Sequence, residues 1–150
     1  MILYHTTDDA DLKQNFRPES GRFGNFLFFA RSRYARGENT YTLDATGMEF
    51  IDQSSIGYQK PYSDYQPIVL EFAEKHGVDE DMALEIIDGS QDPYELEDLQ
   101  NDTYEVAWDA QLYAGRCAVA LGYDGIIGLD EQGGFYMVNM SERIHTLKAA

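Results

Sequence analysis

The sequence predicts an α+β fold, with strands toward both ends of the chain and helices in the middle. Two short apolar runs, residues 1–5 and 25–30, suit strands, and residues 122–138 have the pattern of a hairpin. Between these regions apolar residues recur at helical spacing, and glycines mark helix ends. The chain has 150 residues, a length that suits one domain with its own core. We therefore expect residues 1–150 to form a single domain.

The N-terminal third is predicted to consist mainly of strands. Apolar and β-branched runs indicate them at four places: residues 1–5, 25–30, 40–45 and 49–51. We expect the first strand to be central and the second to be buried on both faces, because it is apolar throughout. A short helix is expected over residues 10–14, and a second one capped by Ser32. Pro18 and two glycines make residues 17–25 a loop.

The middle of the chain is predicted to hold successive helices. Pro67 suits the first turn of a helix that ends at Gly77. Asp79 suits the cap of a second helix that ends at Gly89, and Asp92 with the proline after it suits the start of a short third.

The longest predicted helix begins at a cap on Thr103 and ends at Gly122, with Cys117 on its apolar face. Ahead of the helical region, residues 54–66 are rich in Tyr, Gly, Pro and Ser and indicate a loop. Its tyrosines are expected to be exposed or half-buried: Tyr58, Tyr62 and Tyr65.

The C-terminal hairpin is the feature around which the chain is organised. Two apolar runs, residues 126–129 and 135–138, flank an Asp-Glu-Gln-Gly-Gly turn whose glycines tolerate positive φ. The turn places two neighbouring carboxylates, Asp130 and Glu131, at the mouth of a rigid hairpin. Acidic residues are common in turns, so a solvated loop stays an open alternative to a functional site. A last edge strand is expected near residues 144–147.

The charge of the chain is strongly negative and unevenly distributed. A formal charge of −16 disfavours direct binding to nucleic acid and favours a basic partner or mimicry of nucleic acid. Residues 64–109 contain fifteen acidic residues and one lysine, Lys75. Six of the eleven basic residues lie within residues 13–36, where an anionic ligand such as a dinucleotide pyrophosphate would be tolerated. Solvated faces remain the alternative for both segments.

The sequence lacks the motifs that are typical of several functional classes. Cys117 is the single cysteine, so no intrachain disulfide forms, in keeping with a reducing cytoplasm. We find no signal peptide, membrane-spanning run, Walker loop or dinucleotide glycine motif. The three histidines lack metal-ligand spacing, and Cys117 is expected to pack in the core rather than act as a nucleophile.

Three short motifs resemble the ADP-ribosyltransferase-fold family. The chain opens Met1-Ile2-Leu3-Tyr4-His5-Thr6-Thr7, similar to that family's first strand, which ends in His and a small residue. The strand of residues 26–30 is followed by Tyr34-Ala35, similar to its aromatic second motif. Gly122-Tyr123-Asp124-Gly125-Ile126 and the hairpin resemble its C-terminal signature. The resemblance implies an ADP-ribosyltransferase-like split mixed β-sheet with a central helical insert.

Within this family the sequence is most similar to small acidic anti-CRISPR mono-ADP-ribosyltransferases of phages and mobile elements. The shared features are the helix that bears Trp108 and the turn Asp130-Glu131-Gln132-Gly133. Most members carry the catalytic acid in the second hairpin strand, which here begins Gly134-Phe135-Tyr136 without an acid. In the anti-CRISPR members the acid lies in the turn, which implies Asp130 as catalytic acid and Glu131 as the reserve candidate.

The resemblance also implies a binding site for NAD as co-substrate. His5 would orient the nicotinamide-side ribose, and backbone groups of Thr6 and Thr7 would approach the nicotinamide amide. Aromatic and basic side chains would complete the site. Phe29, Tyr34 and Tyr136 would line the pocket, and Arg31 and Arg33 would lie beside the pyrophosphate. Packing in the core stays an open alternative for Phe29 and Tyr34.

The sequence thus leads to three functional hypotheses. The first is a mono-ADP-ribosyltransferase that modifies a side chain of a basic, nucleic-acid-binding protein, such as a CRISPR effector subunit, in the bacterial cytoplasm. The second is a non-catalytic acidic inhibitor that blocks such a protein by charge mimicry. The third is an ADP-ribosylating toxin. Asp130-dependent transfer from NAD separates the first from the second, and growth arrest in an unrelated host identifies the third.

Overall fold

The computed structural model describes residues 1–33, 39–130 and 133–150, without the side chain of Asp130. These residues form two compact units. We call residues 1–49 and 127–150 the strand unit, and residues 50–126 the helical unit. The predicted α+β class is confirmed, with strands in two sheets and several helices. Every helix in the described part of the chain is too short or too polar to span a lipid bilayer.

Strands and helices follow one another in an order close to the predicted one. They are β1 (Ile2–Thr7), α1 (Leu12–Asn15), β2 (Phe26–Phe29), β3 (Asn39–Asp44), β4 (Phe50–Asp52), α2 (Gln66–His76), α3 (Glu80–Ile87), α4 (Thr103–Ala120), β5 (Gly125–Asp130), β6 (Gly133–Asn139) and β7 (Lys148–Ala149). Short 3-10 helices occupy Gln53–Tyr58, Tyr62–Asp64, Pro93–Glu95 and Ile144–Thr146.

The strand unit contains two sheets. One has the order β1-β3-β7, with antiparallel pairs that place His5 opposite Tyr41. In the other, β6 lies between β2 and β5, and antiparallel pairing of β2 with β6 places Phe29 opposite Tyr136. Because side chains alternate between the faces of a strand, paired residues share a face. Leu3 and Leu43 are fully buried in the first sheet, as Met137 is in the second.

The helical unit is built from three helices that pack pairwise, α2, α3 and α4. α2 ends at Gly77, whose φ of 66° is left-handed and favours glycine. At the start of α3, Asp79 Oδ1 accepts a 2.8 Å hydrogen bond from the Met82 amide, as its predicted capping role requires. Apolar residues from all three helices form a core that is at most 1% exposed: Val69, Phe72, Ile86, Ile87 and Val106.

A buried polar cluster joins α2 to α4 within the helical unit. His76 Nε2 donates to Asp109 Oδ2 at 2.8 Å, and the Asn101 amide donates to His76 Nδ1 at 2.9 Å. Lys75 Nζ donates to the same Asp109 oxygen at 2.6 Å. His76 is 2% exposed and Asp109 is 7% exposed, so these bonds satisfy polar groups that water does not reach freely.

Some sequence-based expectations were wrong in ways that have local causes. Tyr65 is fully buried rather than exposed or half-buried, because it precedes α2 and its hydroxyl donates to the Gln59 carbonyl at 3.1 Å. Asp102, not Thr103, occupies the N-cap of α4. The expected strand at residues 144–147 is a 3-10 turn, and the last strand, β7, follows it.

The first strand also lies elsewhere than expected. β1 was predicted to be central, yet it forms an edge of its three-stranded sheet. On the side of β1 that faces away from β3, the single pair among the described residues is the bridge between Tyr4 and Ala30, which follows β2. The short helix predicted after Ser32 extends into residues 34–38, which lie outside the described residues.

Candidate functional site

The two sheets of the strand unit part at His5. Tyr4 and Ala30 exchange two backbone hydrogen bonds of 2.8 and 2.9 Å, which join β1 to the end of β2. In a continuing antiparallel ladder the next hydrogen-bonded pair would be Thr6 with Phe28. Instead, Nδ1 of His5 lies 2.7 Å from the Phe28 carbonyl oxygen. The imidazole therefore provides the hydrogen bond that the Phe28 carbonyl would have received from Thr6 if the two strands had stayed paired.

The chemistry of the His5 ring follows from that bond. A carbonyl oxygen only accepts, so Nδ1 carries the proton and donates it. Burial lowers the pKa of His5 from its ordinary value of 6.5, and the bond to Phe28 opposes that change only in part. The ring is accordingly neutral at pH 7 and presents the Nε2 lone pair as an acceptor. A ligand hydroxyl is a suitable donor to that atom.

Aromatic rings and one guanidinium extend the site from His5. The centroid of the His5 ring lies 5.5 Å from that of Phe29, which is 2% exposed. Phe29 faces Tyr136 across the β2–β6 pair, and the Arg31 guanidinium lies 5.9 Å from the Tyr136 ring centroid. Arg31 Nη2 also lies 3.7 Å from the Met1 sulfur. His5, Phe29, Tyr136 and Arg31 thus form a chain of neighbouring side chains in which Phe29 and Tyr136 are buried. Their roles in binding a ligand stay predictions.

The backbone of Thr6 is oriented toward the place where the sheets part. Backbone groups of alternate residues point to the same side of a strand, and those of Tyr4 point to Ala30. Thr6 N–H and C=O therefore point away from β3 and toward the diverging strand β2, whereas Thr7 points back toward β3. The Thr6 hydroxyl lies 3.4 Å from that of Thr40, and the Thr7 hydroxyl accepts from the Asp9 amide at 3.2 Å. Thr6, more than Thr7, is positioned to meet a ligand with its backbone.

A pocket of about 370 Å³ lies at the other end of β2. Its walls combine apolar side chains with two arginines, including Phe16, Arg17, Arg22, Phe23 and Leu27. The volume is at the small end of the range for ligand sites, about 300–1,000 Å³. Aromatic rings beside guanidinium groups suit a planar, anionic ligand. In the sequence, Phe16-Arg17 and Arg22-Phe23 each place an aromatic residue next to an arginine. This pattern would have predicted the pocket.

The acidic hairpin turn is only partly described. Asp130 is the last residue of β5, the neighbour of β6 in its sheet, but its side chain lies outside the described part of the structure. Glu131 and Tyr34 also fall in the stretches that are not described. Gly133 has a φ of 111°, which confirms the positive φ expected in this turn. The catalytic roles of Asp130 and Glu131 stay predictions.

No metal centre accompanies the site in the described ranges, where no group of three metal-ligating side chains occurs. Cys117 is fully buried, and burial raises the pKa of its thiol to about 12, as expected for a core residue.

Comparison with solved structures shows that the fold is similar to that of a known protein. The structure resembles the crystal structure of an anti-CRISPR protein, with a TM-score of 0.56 and 24% sequence identity, over 92% of this chain and 88% of that one. No family model and no curated protein matches the chain. The similarity supports the α+β architecture along nearly the whole chain. Membership of the ADP-ribosyltransferase family stays a prediction.

Proposed function

We propose that the protein is an anti-CRISPR that acts as an NAD-dependent mono-ADP-ribosyltransferase on a CRISPR effector subunit. The observation that carries the proposal is the site at His5, where a neutral imidazole, an outward-facing backbone and two aromatic residues meet at the parting of two sheets. The anti-CRISPR role is supported by the similarity to a solved anti-CRISPR protein over 92% of the chain.

The arrangement of the strand unit suits an extended dinucleotide. β2 carries the His5 site at one end and the pocket with Arg17 and Arg22 at the other. Three residue steps along a strand separate the two ends by about 10 Å. In the proposed pose, the nicotinamide ribose donates a hydroxyl hydrogen bond to His5 Nε2 while Thr6 backbone groups bind the amide. The phosphates lie toward Arg31, and the adenylate half enters the pocket.

The proposed reaction breaks the bond between the nicotinamide nitrogen and C1′ of the ribose. The bonding electron pair returns to the nicotinamide ring and neutralises its positive charge, while C1′ becomes cationic. A nucleophilic atom of the acceptor side chain then bonds to C1′ and releases its proton. The Asp130 carboxylate stabilises the cationic sugar and takes up that proton. Glu131 is the reserve candidate for this role.

Transfer of radiolabel from NAD to purified CRISPR effector complexes tests the proposal. The wild type is expected to label one subunit, and Asp130→Asn is expected to lower the labelling rate by about a hundredfold or more, because it removes the charge that stabilises the cation. Glu142→Gln serves as a matched control, since Glu142 is an exposed acid of the same unit. Labelling by Asp130→Asn at the wild-type rate would show that Glu131 or another acid, rather than Asp130, is the catalytic acid. Absence of labelling by the wild type, with effector binding intact, would refute the enzymatic proposal.

A non-catalytic acidic inhibitor is the second candidate, and the charge distribution favours it. The helical unit contains seventeen acidic and three basic residues, whereas the strand unit contains ten acidic and eight basic ones. Such a segregated negative surface suits occupation of a nucleic-acid-binding groove. This mechanism predicts inhibition without NAD and equal potency for wild type and Asp130→Asn.

A further inference from the structure

The pocket at the end of β2 away from His5 differs in charge from most of the molecule. The chain as a whole has a formal charge of −16. Among the described residues, however, no Asp or Glu lines this pocket, whereas Arg17 and Arg22 do. The remaining lining residues are apolar, glycine, Ser20 and Asn15. The pocket therefore suits an anionic ligand that the overall charge of the protein would repel.

The guanidinium of Arg17 is held in place by backbone groups beside the pocket. Its Nη1 donates to the carbonyl oxygens of Gln14 and Phe16, the second at 3.1 Å. The Arg17 carbonyl in turn accepts from the amides of Ser20 and Gly21, both at 3.1 Å. Both side-chain bonds use Nη1, so Nε and Nη2 have no partner in the described ranges. A guanidinium fixed in this way can form paired hydrogen bonds with a phosphate at little cost in side-chain entropy.

The absence of an acid from the lining bears on which dinucleotide the pocket accepts. In doubly wound dinucleotide-binding folds, a carboxylate that bonds the 2′-hydroxyl of the adenosine ribose selects NAD, whereas a nearby arginine accommodates the 2′-phosphate of NADP. The same physical rule applies to any fold, because a carboxylate repels a phosphate and a guanidinium binds it. Glu19 lies in the same loop as Arg17 but is not among the lining residues. The lining thus has the composition of a site that accepts a 2′-phosphate.

We propose that this pocket binds the 2′-phosphorylated adenosine of NADP, with Arg17 as the phosphate ligand, so that NADP as well as NAD is a co-substrate. The inference rests on the proposed function, which places the adenylate half of NAD in the pocket. The reacting bond is unchanged: the nicotinamide nitrogen leaves C1′ with the bonding electron pair, and the acceptor atom bonds to C1′ and releases its proton to Asp130. The 2′-phosphate lies on the other ribose, so it stays on the group that is transferred.

Isothermal titration calorimetry of the full chain with unreactive fragments tests the pocket without any transfer reaction. Adenosine 2′,5′-bisphosphate is expected to bind about tenfold more tightly than 5′-AMP, because its additional phosphate forms charge-assisted hydrogen bonds with Arg17. The net charge of −16 acts in the opposite direction, so a preference for the more highly charged fragment must come from local groups.

Two variants locate the origin of that preference. Arg17→Gln is expected to bring the two affinities within about twofold of each other, because it removes the phosphate ligand. Lys148→Gln removes an exposed base of the same unit that does not line the pocket, and it is expected to keep the preference. Equal or weaker binding of the bisphosphate by the wild type would overturn the inference. So would a preference that Arg17→Gln retains or that Lys148→Gln loses.

Transfer to the effector complex gives a second readout. With NADP in place of NAD, the modified subunit is expected to be heavier by one phosphate group in its intact mass. Transfer from NAD and none from NADP would overturn the inference and leave the proposed function standing. Absence of transfer from both would instead refute the enzymatic proposal, and the co-substrate role of NADP with it.

Discussion

At the scale of single residues, the imidazole of His5 links the architecture of the strand unit to its proposed chemistry. The ring donates to a carbonyl that a continuing ladder would have used, so the same contact ends the pairing of two strands and fixes the tautomer of the ring. Nδ1 thus has a structural role, and in the proposed function Nε2 accepts the hydrogen bond from the ribose hydroxyl.

The protonation of His5 makes stability depend on pH. Its pKa is lowered by burial in the folded chain and is near 6.5 in the unfolded chain. The unfolded state thus binds more protons between these two values, so this contribution is complete above pH 6.5 and is lost as the pH falls through the folded pKa. Urea unfolding of the wild type at decreasing pH is expected to show this loss. His5→Asn, which keeps a donor but does not titrate, is expected to flatten it.

His145→Asn provides the matched control, because His145 is exposed. Its pH dependence is expected to follow that of the wild type. Parallel curves for His5→Asn and the wild type would show that His5 does not carry the effect.

The buried cluster around Asp109 gives a residue-scale prediction for the helical unit. Asp109→Ala leaves the buried His76 N–H without its acceptor and is expected to lower the free energy of unfolding by about 2–4 kcal/mol. Asp102→Ala is the control, since the exposed Asp102 makes no side-chain cap bond, and is expected to cost at most about 0.5 kcal/mol. Equilibrium urea denaturation measures both. Equal costs would mean that the cluster does not stabilise the unit.

At the scale of elements, the C-terminal hairpin depends on a close contact between its two strands. Gly128 of β5 lies under the ring of Phe135 of β6, and a Cβ at position 128 would collide with that ring. Phe135 also packs edge-to-face on Phe28, with ring centroids 5.3 Å apart. The glycine therefore allows an aromatic contact that ties the hairpin to β2.

Gly128→Ala is expected to displace Phe135 and to lower the free energy of unfolding by about 1–3 kcal/mol, as overpacking commonly does. Gly134→Ala in the same hairpin is the control, because its Cβ would meet its nearest neighbour, the Gly128 carbonyl oxygen, at 3.8 Å. Thermal unfolding compares the two. A Gly128→Ala protein as stable as Gly134→Ala would contradict the packing described here.

Local chemistry explains which elements were predictable from the sequence. Gly77 and Asp79 mark helix ends by backbone geometry and capping, both of which act within a few residues. The burial of Tyr65 accompanies the hydrogen bond of its hydroxyl to the Gln59 carbonyl, and the edge position of β1 depends on pairing between residues distant in sequence. Hydrophobic periodicity predicts neither contact. The resemblance placed His5, Phe29, Arg31 and Tyr136 in one site. The contact between His5 and the Phe28 carbonyl could not be predicted, because it depends on where two strands diverge.

At the scale of the whole molecule, charge and proposed chemistry belong to different units. The strand unit is nearly neutral and carries the His5 site, whereas the helical unit carries most of the negative charge. In the proposed function, NAD would bind the strand unit, and the acids of the helical unit would attract a basic protein.

Neutralising acids in the helical unit is expected to slow inhibition of the effector complex. Glu95→Gln/Glu97→Gln/Asp98→Asn removes three exposed charges and is expected to lower the association rate about tenfold at low salt, because steering by the local field is weakened. Asp8→Asn/Glu19→Gln/Glu142→Gln removes three charges from the strand unit and is expected to change the rate little. The difference should disappear at high salt. Equal rates for the two variants would refute steering by the helical unit.

The most direct measurement of the central claim compares the stoichiometry of inhibition with and without NAD. A CRISPR effector complex is incubated with a hundredth of its molar amount of the protein, and binding of the complex to target DNA is then followed. A catalytic anti-CRISPR is expected to inactivate most of the complex when NAD is present, and almost none when NAD is omitted or Asp130 is replaced by Asn. Inhibition that requires one protein per complex and proceeds equally without NAD would contradict the account and establish a blocking inhibitor.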